Sequence, residues 1–218
     1  MELTKSKARL WSKLGSRAVF GMALFDMAER GVDFYAMSGD LVRSSGLGRF
    51  QEIFPERCIN MGIAEQNMVG VAGGMAKDGT PIFATSFAPF ITMRAAEQVR
   101  MNMGYMQLNV KTVGLGSGLI MAQLGNSHFG LEDVAVMRAI PNLTIVSPAD
   151  CGEIVKAVAA IAQYKGSVYL RLTGGPGNPI VYQEEYDFVI GRAITLRKGD
   201  DVALVAAGTM VHTALEAA

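Results

Sequence analysis

The chain has 218 residues, with 20 lysines and arginines against 20 aspartates and glutamates, and half of it is apolar. A balanced charge excludes the basic footprint of a nucleic-acid binder, and the apolar content excludes disorder. Cys58 and Cys151 form no C-x-x-C pair and neither histidine stands at metal-ligand spacing, which excludes a disulfide scaffold or structural zinc site and points to a reducing, cytoplasmic setting.

In chain order, residues 4–30 read as one amphipathic helix, with Leu10, Leu14, Phe20, Leu24 and Met27 near helical spacing and a stop at Gly31. Its apolar stretch is too short for a membrane span and carries no cleavage-like sequence, so neither a signal peptide nor a membrane partner is expected. Short β-prone runs follow at residues 34–37, 58–60, 82–85, 110–115, 143–146 and 168–172. Helical patterns at 65–78, 89–103, 131–139 and 149–164 separate them. This alternation predicts an α/β fold, a mainly parallel sheet with helices on both faces. The 149–164 helix is expected to start with Ser147 as N-cap and Pro148 in its first turn.

Residues 173–179 are a Gly/Pro loop, and 180–190 read as a connector. Beyond it, 193–196, 202–206 and 210–218 repeat a strand, strand, helix grammar too short to enclose a core. The expected organisation is therefore a domain over 1–180, a linker over 181–190, and over 191–218 the incomplete start of a second α/β domain. The natural chain is expected to continue past Ala218 or to pack on a partner.

Three stretches carry candidate chemistry. Gly114-Leu-Gly116-Ser-Gly118 follows a strand, but the third glycine of a dinucleotide fingerprint would be residue 119, a leucine, and no helix opens there. In Gly62-Ile-Ala-Glu65-Gln-Asn-Met68, one carboxylate opens an otherwise uncharged helix containing three glycines. Glu65 is either a partner of the helix dipole or a carboxyl whose pKa apolar surroundings raise, able to give and take a proton. Phe87 and Phe90 share a face at a strand-to-helix junction, as core or as a stacking platform. Asp40 ends a strand, where it is a turn residue or a ligand contact, and His128 lies in a Gly-rich loop.

Gly62–Met68, Phe83-Ala-Thr-Ser-Phe87-Ala-Pro-Phe90, Ser127-His128, Arg138-Ala-Ile-Pro-Asn142 and Pro148-Ala-Asp150, in this order, resemble the pyrimidine-binding domain of transketolase-family thiamine diphosphate enzymes over roughly residues 10–180. The resemblance implies that Glu65 meets N1′ of the cofactor's aminopyrimidine and promotes removal of the thiazolium C2 proton. It further implies that Phe90 stacks on the pyrimidine, that Phe87 lines its pocket, and that Asp40 is a cofactor-side contact. His128 would hold substrate oxygens and move protons, while Arg17, Ser44 and Arg171 would bind the sugar or its phosphate. The tail from Gly191 resembles the opening of the family's C-terminal domain.

Two departures bear on substrate. Leu124 stands where classical transketolases carry the aspartate of Asp-Gly-Pro-Thr-His, and Gly116 where they tend to carry another histidine. An altered donor preference is expected, on a hydroxylated and anionic ketose. The family's Mg²⁺-binding Gly-Asp-Gly is absent, so the metal and the cofactor's diphosphate are expected on a separately encoded subunit, in a two-fold heterotetramer. The alternative enzyme reading is the β subunit of a 2-oxoacid dehydrogenase or a 1-deoxyxylulose-5-phosphate synthase-like enzyme. Outside catalysis stand a degenerate regulatory subunit and an assembly module, against which the joint presence of Glu65, Phe90 and His128 argues.

Overall fold

A computed structural model describes residues 1–218. Six strands, β1 (Tyr35–Ser38), β2 (Cys58–Asn60), β3 (Ile82–Phe87), β4 (Val110–Leu115), β5 (Thr144–Val146) and β6 (Val168–Arg171), form one sheet in the order β2-β1-β3-β4-β6-β5. Every pairing is parallel. All residues of β3 and β4 are buried, as expected of central strands covered on both faces.

Side-chain alternation along the strands divides the core in two. One layer takes Phe83 and Phe87 of β3 together with Phe20 and Leu24 of α2 (Ser16–Glu29) and Ile154, Val158 and Ile161 of α7 (Cys151–Gln163). The other takes Ile82 and Ala84 together with Met68, Val69 and Ala72 of α4 (Glu65–Met75) and Met137 of α6 (Asp133–Arg138). From β1 the chain winds outward one way to β2, and from β3 the other way to β4. The carboxyl ends of β1 and β3 are therefore a topological switch point, the crevice where open α/β sheets place ligands.

The first expected helix is two. α1 (Lys5–Leu14) and α2 are broken at Gly15, whose φ of 82° lies in the left-handed region that favours glycine. A Cβ there would sit 2.7 Å from the Gly175 carbonyl carbon, so the loop after β6 packs directly on the break. The expected helix over 89–103 is α-helical only at α5 (Ala96–Val99), with π-helical turns at Phe90–Arg94 and Arg100–Tyr105 on either side.

α7 starts later than its Ser-Pro signal. Asp150 is the N-cap, with Oδ1 accepting from the Glu153 amide at 2.7 Å. Its Oδ2 accepts from the amides of Val181 and Tyr182, at 2.7 and 2.8 Å, and so also clamps the segment after the Gly/Pro loop. The two strands expected at 193–196 and 202–206 do not form; only α8 (Met210–Ala217) does. Val202, Leu204 and Val205 are exposed, with no neighbouring strand to satisfy their backbone or cover their side chains. The α3 segment (Gly48–Ile53) completes the fold between β1 and β2.

Candidate active site

Glu65 is the first residue of α4 and lies at the switch point, 1 % exposed. The Ser86 hydroxyl on β3 donates to its Oε1 at 2.7 Å, and Arg94 Nη1 donates to its Oε2 at 2.8 Å. Gly39, just past β1, leaves room beside it: a Cβ there would stand 3.3 Å from both Oε1 and Ser86 Oγ. Burial acts to raise the carboxyl's pKa, but hydrogen bonds from Ser86, Arg94 and the residue's own amide, with the Arg94 charge, outweigh it and hold the pKa below its ordinary value. The expectation of a raised pKa is therefore corrected. The surroundings are apolar only in part, and Glu65 is an ionised, hydrogen-bonded acceptor.

Phe87 ends β3 and Phe90 opens the π-helical turn after Pro89, which puts their rings edge to face with centroids 6.1 Å apart. His128 completes the set, its imidazole 5.4 Å from Phe87 and 5.1 Å from Phe90, edge-on to both. Ser127 Oγ lies 3.0 Å from His128 Nδ1 and so engages that nitrogen. Phe87, Phe90 and His128 thus form one aromatic group on the carboxyl edge of the sheet, and Arg94, which binds Glu65, lies over the Phe90 ring at 4.1 Å.

The loop carrying His128 is closed at its base by a two-way backbone bridge between Gly118 and Gly130, with N···O distances of 2.9 and 3.0 Å. Arg171, at the end of β6, holds that base through Nη2 to the Gly130 carbonyl and through Nε to Asp133 Oδ2 at 2.8 Å. Tyr169 donates to the same Asp133 oxygen at 2.7 Å, and burial beside this carboxylate pushes the phenol well above its ordinary value. Part of the Arg171 guanidinium faces a cavity of about 460 Å³ lined also by Ser117, Thr173 and Asn178.

Asp40 sits beside the crevice in a left-handed conformation, φ 63°. Its amide donates to Asn60 Oδ1 and its carboxylate accepts from Asn60 Nδ2, both at 3.1 Å, which ties β1 to β2 at their carboxyl ends. Arg17 on α2 and Ser44 on the following surface loop join the Glu65 group through no hydrogen bond or ion pair. Their segments meet each other instead, where Gly46 packs against the Arg17 carbonyl.

Sequence reasoning missed Ser86, Arg94, Asp133 and Tyr169. Arg94 had a signal, since it stands four residues after Phe90 on a helical pattern and so shares its face. Ser86 had a weaker one, a hydroxyl on an otherwise apolar central strand. Nothing local distinguished Asp133 from an ordinary first-turn acid.

The chain matches the transketolase pyrimidine-binding domain over residues 12–175. It belongs to the transketolase family. It is 38% identical to a putative transketolase C-terminal section from Methanocaldococcus jannaschii over 205 residues, which are 93% of this chain and 65% of that protein. It is 38% identical over 195 residues to the 6-deoxy-6-sulfo-D-fructose transketolase subunit SqwH of a Clostridium species, covering 89% of this chain and 60% of the relative. A solved structure described as a split gene transketolase, an inactive β4 tetramer, superposes with a TM-score of 0.83 at 38% identity over 94% of this chain and 66% of that one. The chain thus spans roughly two thirds of the length of these transketolase-family proteins. The parallel sheet with helices on both faces is the fold expected from the sequence.

Proposed function

We propose that this chain supplies the pyrimidine-binding half of a thiamine diphosphate-dependent transketolase-type enzyme, which transfers a two-carbon ketol unit from an anionic ketose to an aldehyde. The observation that carries the reading is the buried Glu65 carboxylate at the switch point, linked through Arg94 to Phe90, whose ring groups with those of Phe87 and His128. The residues fit the cofactor's pyrimidine. An ionised carboxylate accepts a ring N–H, and an aromatic ring beside it offers a stacking face. When bound, thiamine diphosphate supplies a stabilised nucleophilic carbon for carbon–carbon bond cleavage and formation.

In this account Glu65 fixes the pyrimidine edge and governs its protonation, with Ser86 holding one carboxylate oxygen in place. Phe90 stacks and Phe87 walls the pocket. His128 is set by its two ring neighbours to hold substrate oxygens and move a proton. Asp40 is a cofactor-side contact by its place beside Gly39. The free part of the Arg171 guanidinium, facing its polar cavity, suits the phosphate or sulfonate end of a sugar, with Arg17 and Ser44 further along the substrate channel. Relatives named for a sulfonated fructose and for apulose 4-phosphate support an anionic donor.

The Mg²⁺ and diphosphate belong to a second, separately encoded subunit carrying Gly-Asp-Gly, in a two-fold assembly. This chain's sequence lacks the Gly-Asp-Gly that is expected to supply the ion's hard oxygen ligands. Relatives named as sections or subunits of transketolases point the same way. Residues 181–190 act as a linker and 191–218 as the opening of the C-terminal domain, which explains why the tail leaves apolar residues uncovered.

The reading is tested by assaying the reconstituted two-subunit enzyme against ketose donors and against 2-oxoacids. Ketol transfer from an anionic ketose is expected. Decarboxylation of 2-oxoacids with no turnover of ketoses would contradict it.

A further inference from the structure

We propose that Arg94 occupies the pyrimidine's place in the cofactor-free subunit, and that the cofactor binds by displacing it from Glu65. The proposal rests on the reading that Glu65 and Phe90 receive the pyrimidine. Two contacts define that place, and Arg94 makes both. Its Nη1 donates to Glu65 Oε2 at 2.8 Å, and its guanidinium carbon lies 4.1 Å from the centroid of the Phe90 ring. A planar cation that donates in its own plane and stacks through its face is what a protonated aminopyrimidine also presents.

The two groups on Glu65 differ in how freely they can leave. Ser86 belongs to a central strand and is wholly buried, so its bond to Oε1 is part of the frame. The Arg94 side chain is 43 % exposed and can turn outward into water, whereas the carboxylate it covers is 1 % exposed. The wide π-helical turn from Phe90 to Arg94 is what brings ring and guanidinium over one another.

The arrangement has a thermodynamic reason. A buried carboxylate without a partner is strongly destabilising, so a subunit awaiting its cofactor gains from a resident cation. The same contact competes with the cofactor, because only the fraction of subunits with Arg94 turned out can receive it, and the apparent affinity falls by that fraction.

Calorimetry and thermal unfolding of the assembled two-subunit enzyme, with thiamine diphosphate and Mg²⁺ as the probe, test the proposal without an activity readout. Arg94→Ala is expected to lower the melting temperature of the cofactor-free enzyme, leave that of the loaded enzyme unchanged, and tighten cofactor binding about tenfold. Arg94→Lys, which keeps the charge and gives up the flat stacking face, keeps the variant set informative should the alanine variant not assemble; an affinity between wild type and Arg94→Ala, or simply tighter than wild type, is expected.

Weaker or unchanged binding by both variants, with loaded and free enzyme destabilised equally, would overturn the proposal and make Arg94 a permanent part of the bound site. Failure of the underlying reading looks different. In that case Glu65→Gln and Phe90→Leu would leave the cofactor affinity of the assembled enzyme untouched.

Discussion

The His128 imidazole stands edge-on to the Phe90 ring, centroids 5.1 Å apart at 68° between planes, so the histidine proposed to hold substrate oxygens is oriented by the residue proposed to stack on the cofactor. In the proposed role, removing the imidazole takes away the polar group that meets the substrate, without opening the sheet. His128→Ala is expected to lower kcat/KM of the assembled enzyme by about 10²-fold or more. Its melting temperature should stay near wild type, because His128 is half-buried in a surface loop. Steady-state kinetics beside a thermal melt check both halves.

Asp133 is the buried charge on which the Arg171 side of the site depends. It accepts from both Tyr169 and Arg171 through Oδ2, while its Oδ1 has no partner. Asp133→Ala leaves the largely buried Arg171 guanidinium without its carboxylate and is expected to cost about 3 kcal/mol. Tyr169→Phe removes one hydrogen bond and should cost about 1 kcal/mol. Urea unfolding of the two variants measures the ratio, and a smaller loss for Asp133→Ala than for Tyr169→Phe would contradict the network.

The contact that seats the Ser44 loop is backbone on backbone. A Cβ on Gly21 of α2 would stand 2.0 Å from the Gly46 carbonyl oxygen, and neither group can step aside by a side-chain rotation. Gly21→Ala is expected to destabilise by about 1–3 kcal/mol. If Ser44 binds substrate, the displaced loop should also raise KM while kcat changes little.

These contacts mark what was legible and what was not. All six strands could be read, because each is a short apolar run bounded by turn residues, and the Phe87, Phe90 and His128 blocks held side chains that the fold brings together. The break at Gly15 could not, since the Gly175 backbone that fills it lies 160 residues along the chain. Asp150 displaced the Ser-Pro start of α7 because it satisfies Val181 and Tyr182 as well as the helix, an advantage invisible within the helix's own sequence. Of the two readings of Glu65 open to the sequence, a helix-dipole partner or a carboxyl raised by apolar surroundings, the second fails because the two donors that reverse the shift come from β3 and the turn after it. The strands expected in the tail had the right residues but no neighbouring strand within this chain.

Lys111 gives the fold a pH dependence of known sign. It is wholly buried in β4, donates through Nζ to the carbonyls of Tyr164 and Gly166, and burial pushes its pKa down to about 7 from 10.5. Between those values the unfolded chain holds a proton that the folded chain has released, so the contribution of Lys111 to stability rises with pH across that interval, while above about 9 the buried Cys58 and Cys151 thiols, pushed up to about 11, act the opposite way. In Lys111→Met this slope should vanish. Denaturant midpoints of both proteins at a series of pH values between 7 and 9, below the range in which the two thiols titrate, measure it. Parallel curves would show that the ammonium stays charged on its two carbonyls.

The most direct test of the central claim, that Glu65 governs protonation of the pyrimidine, is hydrogen–deuterium exchange at C2 of thiamine diphosphate bound to the assembled enzyme. Glu65→Gln is nearly isosteric, and its amide can still accept from Ser86 or Arg94 while having lost the carboxylate's charge. The account predicts that the variant assembles, unfolds near the wild-type temperature, and exchanges at C2 slower by about 10²-fold or more. An unchanged exchange rate in a fully assembled, cofactor-loaded Glu65→Gln enzyme would contradict it.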